Sequence, residues 1–264
     1  MVLVGRFSGM YDLLDFYDNY DEDSRLHKDN GHKLEWLTTV KYFKELIPKG
    51  SKILDCCAGT GQYSFWLGEN GFEVTAGDVV PKHVEIMKAS YMSKNLSDIY
   101  CGNVLEMPQF TDGQFDVVLC MGAYYHLHDT SERNRAIKEC IRVLKSNGLF
   151  VLSYINRNAV FINQFKSDPS SIAKQFQIII DGKNDVFYAS DFNEIEEMAS
   201  RQKLETIANI ATDGMMYPLI DCINSLSEQQ FKQYLNYHFK VCEVPSILGN
   251  SMHGLYFGRK VSML

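Results

Sequence analysis

Metal-ligand spacing is absent from this 264-residue sequence. Its seven cysteines, Cys56, Cys57, Cys101, Cys120, Cys140, Cys222 and Cys242, contain no C-x-x-C pair and no zinc-type spacing with the seven histidines. No metal and no disulfide framework is expected, and the cysteines read as reduced thiols packed like small hydrophobes. Lys/Arg-rich runs are absent too. With a net charge of −7, the surface as a whole repels a phosphate backbone, which disfavours nucleic acid as a partner. Uncharged runs such as Val117 to Leu127 fall well short of the ~18 residues a membrane span needs. The start, MVLVGRFSGMYDLLDFYDNYDED, has neither a basic n-region nor a useful h-region. A cytoplasmic location is the expectation. No repeat, low-complexity tract or Pro/Gly-rich linker divides the chain, and one domain over 1–264 is expected. It would comprise a helical cap or lid at 1–45, a core at 46–156, and substrate-side helices with C-terminal strands at 157–264.

What is present is a βα alternation from residue 50 onward. KILDCC (52–57) reads as a strand, Gln62 to Glu69 as a helix closed by Gly71, and FEVTAGD (72–78) as a second strand. Pro81 stands where a first helical turn accepts proline, ahead of the stripe Val84, Met87 and Tyr91. IYCGN (99–103) is a short third strand. FDVVLCM (115–121) is apolar without alternation, as expected of a parallel strand covered on both faces. Asp129 and Glu132 have capping-box spacing before a helix that Asn147-Gly148 should end, and LFVLSYI (149–155) follows as a fifth strand. Further on, two helices interrupted by SDPSS, a helix over 191–202, a strand over 204–212, helical segments over 216–240 and a last strand HGLYFGRK (253–260) are predicted. Strands separated by helices imply a doubly wound parallel sheet.

The turn between the first strand and helix carries Gly59-Thr60-Gly61, which exposes backbone N–H groups and a helix N-terminus. Asp78 ends the next strand 17 residues after Gly61, where a carboxylate can accept both hydroxyl protons of a ribose. A nicotinamide site prefers a third glycine, and Ser64 is small enough to leave that class open. The acid inside the first strand, Asp55-x-x-x-Gly59-x-Gly61, favours a different adenosine ligand.

ILDCCAGTG, VTAGDVVPKHVEIM, CGNVLEMP, FDVVLCMG and RVLKSNGLFVLSYI occur in the order and spacing of the class I S-adenosylmethionine-dependent methyltransferases. The chain resembles their small-molecule branch, which includes the ubiquinone/menaquinone-biosynthesis methyltransferases, and is similar in outline to bacterial members carrying YDEDSRL and YHL segments. The resemblance implies an α/β, Rossmann-like seven-stranded sheet, mostly parallel with an antiparallel last strand. It implies methyl transfer from S-adenosylmethionine, with S-adenosylhomocysteine as product, to a small molecule, by a monomer or homodimer. The cofactor set it implies is Asp55, Cys57, Ala58, Gly59, Thr60, Gly61, Asp78, Val79, Asn103, Val104 and Met121. Two positions depart from the family: Cys57 replaces the first glycine and crowds the cofactor side, and Asn103 replaces a frequent acid.

Methyl transfer from a sulfonium is mainly positioning, with a proton to remove when the acceptor is a hydroxyl or amine. GAYYHLHD (122–129) falls at the carboxyl edge of the sheet, so Tyr125 and His126 are the catalytic candidates. Tyr154 and Arg157 follow the fifth strand on that edge, and Tyr11, Tyr17 and Tyr20 could close a lid; Tyr11, Tyr20, Tyr154 and Arg157 form the expected substrate set. His253 stands isolated before the last strand. The absence of N/D-P-P-Y/F after the fourth strand and of a Pro-Cys nucleophile argues against adenine-amino and cytosine-C5 chemistry. An RNA methyltransferase and a non-catalytic cofactor-binding scaffold are the competing readings.

Overall fold

Continuous apolar runs become the centre of a nine-stranded sheet. The computed structural model describes residues 13–17, 20–184 and 186–261. Strands β1 (Lys52–Asp55), β2 (Glu73–Asp78), β3 (Asp98–Cys101), β4 (Phe115–Cys120) and β5 (Leu144–Asn156) lie in the order β3-β2-β1-β4-β5. All four of these pairings are parallel. Ile53, Leu54, Val117, Val118, Leu119 and Phe150 are fully buried, because helices cover both faces of a parallel sheet. The covering helices are α1 (Asn30–Leu46), α2 (Gln62–Glu69), α3 (Pro81–Ala89), α4 (Thr130–Val143), α5 (Arg157–Ser167), α6 (Ile172–Asp181), α7 (Phe192–Arg201), α8 (Ile220–Asn224), α9 (Glu228–Val241) and α10 (Pro245–Leu248). No helix among the described residues is long and apolar enough to cross a membrane.

Strand β9 (His253–Lys260) runs antiparallel between β5 and β8 (Leu204–Ala211). The path β3-β2-β1-β4-β5-β9-β8 is the expected seven-stranded arrangement with its reversed last strand. A hairpin of β6 (Lys183–Asn184) and β7 (Phe187–Ser190) was not foreseen; β7 pairs with Ile155 and Asn156 of β5 beyond the point where β4 ends. The end of α4 also differs from expectation. The helix stops at Val143 and β5 begins at Leu144, while Asn147, at φ +62°, makes a turn within the strand region.

Gly61 illustrates how the glycine turn is fixed. Its φ is +94°, and a Cβ there would come within 2.7 Å of Met87 Cγ and 3.1 Å of Phe65 Cε2. Gly61 therefore lets α2 and α3 approach one another at the turn. Gly61→Ala should cost about 1–3 kcal/mol through left-handed strain and overpacking. Urea unfolding checks this, and an unchanged midpoint would refute the packing role.

Candidate active site

The carboxyl edge of the sheet gathers the chemistry. Asp55 ends β1 and Asp78 ends β2, so two neighbouring parallel strands deliver two acids to one edge. Asp78 organises the glycine turn: Gly59 N–H donates to its Oδ2 at 2.8 Å and Val80 N–H to its Oδ1 at 2.9 Å. A carboxylate has further lone pairs for two hydroxyl donors. Asp55 is buried, and Ser64 Oγ–H donates to its Oδ2 at 2.6 Å. Its Oδ1 is buried without a hydrogen-bond partner among the described residues. Burial pushes the Asp55 carboxyl up to about 7; the hydrogen bond donated by Ser64 and a weaker backbone contact from Cys57 oppose this, and the nearby Asp78 adds to it. Ser64, at the place of a third glycine, thus serves the acid instead of a pyrophosphate.

A cavity of about 690 Å³ lies along this edge. Asp55, Cys57, Ala58, Gly59, Thr60, Asp78, Val79, Asn103, Val104, Met121, Tyr125 and His126 line it, and of the expected cofactor set only Gly61 does not. Cys57 packs against Gly122: a Cβ at Gly122 would lie 3.2 Å from Cys57 Cβ. Asn103 uses Oδ1 to accept from Leu105 N–H at 2.9 Å, which shapes the loop after β3. Beneath the turn, the buried free thiols of Cys56, Cys120 and Cys140 hold their sulfurs within 4.8 Å of one another.

His126 is held from both sides. Its Nδ1 lies 3.1 Å from Val186 O, which can only accept, so Nδ1 carries the proton and Nε2 accepts from Tyr17 O–H at 2.9 Å. Burial pushes this imidazole down to about 4, so it is neutral near pH 7. Tyr17, an expected lid residue, thereby occupies the lone pair that a base would need. Leu13, Tyr17, Glu22, Arg25 and Leu26 line the cavity from the N-terminal side, and further ties hold that side: Gln62 Nε2 donates to Asp23 Oδ1 at 2.9 Å and Lys82 Nζ to Tyr17 O at 3.4 Å.

A second chamber of about 280 Å³ adjoins the first, with Tyr17, Glu22, Arg25 and Tyr125 lining both. Tyr20 lines this chamber, with Phe16 stacked on it at 5.3 Å between centroids. Tyr11 lies outside the described residues. Tyr154 and Arg157 line neither cavity. Tyr154 is fully buried opposite Gly254 of β9, whose missing Cβ makes room for the ring, and its O–H donates to Asn209 Oδ1 at 2.8 Å. Arg157 turns to α7 instead, where Nη2 donates to Glu194 Oε2 at 2.8 Å.

Sequence reasoning missed Glu22, Arg25 and Glu35. Arg25 donates to both Glu35 oxygens, at 2.6 and 3.1 Å, and through Nε to Glu22 Oε1 at 3.1 Å. The available signal was a single arginine in the acidic YDEDSRL stretch and a glutamate on the apolar side of α1, between Leu34 and Thr38.

Residues 54–152 match the family model described as a methyltransferase domain. The chain is 27% identical over 158 residues to the glycine/sarcosine N-methyltransferase of Aphanothece halophytica, covering 58% of this chain and 57% of that one. It is 29% identical over 133 residues to the ubiquinone biosynthesis O-methyltransferase of Xanthomonas axonopodis pv. citri, covering 50% and 52%. The chain thus spans about half the length of the curated relatives it matches. Among solved structures, the Burkholderia thailandensis 1,6-didemethyltoxoflavin-N1-methyltransferase, bound to 1,6-didemethyltoxoflavin and S-adenosylhomocysteine, superposes with a TM-score of 0.59 at 13% identity. That match covers 99% of this chain and 93% of the other. The fold is the class I, Rossmann-like methyltransferase fold, and residues 54–152 are the stretch that is similar to the methyltransferase-domain family.

Proposed function

We propose that this chain transfers a methyl group from S-adenosylmethionine, bound in the 690 Å³ cavity, to a small molecule held in the adjoining chamber. One observation carries the reading: the buried Asp55 Oδ1 has no partner among the described residues, and it lies on the cavity that Asp78 also lines. A ligand amino group, reached directly or through water, would satisfy Asp55. Ribose hydroxyls would donate to Asp78, and the loop at Asn103 and Val104 would flank the adenine. The bound sulfonium supplies the methyl group; the protein supplies position and removes water. Residues 13–17 and 20–27 act as the lid, with His126 neutral and holding Tyr17 in place.

Calorimetry with S-adenosylhomocysteine tests the binding half. Ligand at 100 times its Kd should stabilise the fold by about 2.7 kcal/mol, and Asp78→Ala should weaken binding by about 10–100-fold, the worth of hydrogen bonds to a charged acceptor. Label transfer from methyl-labelled S-adenosylmethionine into a metabolite extract tests the reaction half. NAD binding with no response to S-adenosylhomocysteine would refute the proposal.

A further inference from the structure

The reversed strand β9 brings a second histidine to the ligand edge. Because β9 runs antiparallel, its first residue, His253, lies beside Ile155 near the carboxyl end of β5. Strand β8 runs antiparallel to β9, and the chain leaving its carboxyl end places Asp213 at the same edge. Asp213 is fully buried, and its Oδ2 is 2.7 Å from His253 Nδ1. Ser251 O–H also donates to this carboxylate, and His253 N–H lies 3.3 Å from both of its oxygens. An ionised carboxylate only accepts, so it fixes the proton on Nδ1 and leaves Nε2 as the basic nitrogen. Among the described residues no hydrogen bond engages Nε2, and His253 lines the 280 Å³ chamber. This is the arrangement that His126 lacks.

The chamber walls define what could meet that nitrogen. Phe16, Tyr20, Phe187 and Tyr217 present rings, and Met252 adds a polarisable thioether. Phe16 meets Phe187 edge-on at 5.5 Å and Tyr217 lies 6.2 Å from His253 between centroids. Flat rings, together with the polar groups of His253, Glu22, Arg25, Asn163 and Gln164 on the same walls, suit a flat aromatic ligand that carries a polar substituent. At about 280 Å³ the space sits below the usual range for drug-sized ligands.

Resting on the methyl-transfer reading above, we propose that His253, oriented by Asp213, is the general base of this site and that the acceptor is a small aromatic hydroxyl. Nε2 takes the hydroxyl proton while a lone pair of the acceptor oxygen forms the bond to the methyl carbon. The carbon–sulfur bond breaks, and its electron pair stays on sulfur as the neutral thioether. The products are the aryl methyl ether, the thioether and an imidazolium, which Asp213 stabilises until the proton passes to solvent. Burial lowers the basicity of His253, but Glu35, whose Oε2 is 3.5 Å from Nδ1, and Asp213 outweigh it and the opposing Arg25, so the group is a stronger base than ordinary histidine. The neutral imidazole is the active form. Turnover should therefore rise as pH increases through the His253 pKa.

The test uses 4-nitrophenol as an acidic aromatic hydroxyl, titrated into the full chain at one pH unit below its solution pKa, with and without S-adenosylhomocysteine. The wild type should bind it saturably with a gain in phenolate absorbance. His253→Gln should lower the ionised fraction of bound probe tenfold or more while leaving S-adenosylhomocysteine affinity intact, and Asp213→Asn should act in the same direction. With a true acceptor, His253→Gln should reduce kcat by about 10²–10⁴-fold. No saturable binding, unchanged ionisation on binding, or equal ionisation by His253→Gln overturns the proposal. If the variants do not fold, 15N NMR of the wild type decides: above its pKa His253 should carry its proton on Nδ1, and a proton on Nε2 overturns the assignment. Cofactor binding without probe ionisation sinks the dyad alone; probe ionisation without cofactor binding sinks the methyl-transfer reading alone.

Discussion

Arg25→Met is expected to destabilise the folded chain by about 3–5 kcal/mol, the usual cost of removing one partner from a buried ion pair. Arg25 forms a fork on Glu35, and Glu35 is buried on α1 with His253 and Asp213 close by. Without the guanidinium, that pocket holds two carboxylates against one histidine. Arg25→Lys should recover little, because an ammonium cannot make the two parallel bonds. Arg25→Met/Glu35→Leu should recover most of the loss, since the cost comes from the orphaned charge and not from missing attraction. The same pair gives a pH signature. Despite burial, which alone would raise it, the attraction of Arg25 leads the opposing effects that hold the Glu35 carboxyl down at about 2, against an ordinary 4.5. A depressed acid contributes stability above its unfolded pKa and loses it as pH falls through the folded one. About 3 kcal/mol should therefore disappear between pH 4.5 and 2 in the wild type and not in Glu35→Gln. Urea titrations at several pH values measure both effects; a loss below about 1 kcal/mol in Arg25→Met, or a double variant no better than the single, would refute the account.

What the sequence made legible follows the range of the interactions involved. Asp55 and Asp78 were readable because each sits at the end of a strand whose apolar run and following turn are local in sequence. The packing of Cys57 was not readable, since the glycine it faces lies just after β4, 65 residues away, and only the parallel pairing of β1 with β4 brings them together. The hairpin β6–β7 escaped for a related reason: two- and four-residue strands carry no periodicity, and β7 exists because β5 outruns β4 and leaves Ile155 and Asn156 unpaired on that side. Asn147-Gly148 looked like a helix end because a left-handed asparagine is common there. The structure uses the same conformation inside a strand region, where β4 and β5 shift register between Phe115 and Val117. His126 was readable as a residue after β4, but its partners Tyr17 and Val186 come from elements distant in sequence. Tyr154 and Arg157 were placed at the right edge, yet which way a side chain leaves that edge depends on Gly254 and Glu194.

Asp55 sets the opposite pH dependence, and it acts on the ligand. Burial holds its carboxyl near 7 in the unliganded chain, so around neutrality the group is only partly ionised. A ligand amino group at the vacant lone pairs of Oδ1 would favour the ionised form, and binding must then expel a proton at any pH below about 7. The affinity for S-adenosylhomocysteine should be flat above pH 7.5 and weaken by up to ~10-fold per unit as pH falls below 7, a limiting slope set by one proton per ligand. Calorimetry in buffers of different ionisation enthalpy should register close to one proton released at pH 6 and close to none at pH 8. Asp55→Asn removes the charge but keeps the shape and the contact with Ser64. It should abolish this proton release, weaken binding at pH 8 by about 10–100-fold, and stabilise the unliganded fold at pH 8, since a carboxylate with a raised folded pKa loses stability as pH climbs from its unfolded pKa to its folded one and keeps that loss above it. Those two changes have opposite signs, which separates a ligand-facing acid from one kept for packing: a purely structural Asp55 would lose stability on substitution and leave the affinity profile unchanged. A pH-independent affinity between 5 and 8, with no buffer-dependent heat, would sink the assignment of Asp55 to the ligand amino group and return the acid to ordering the glycine turn through Ser64.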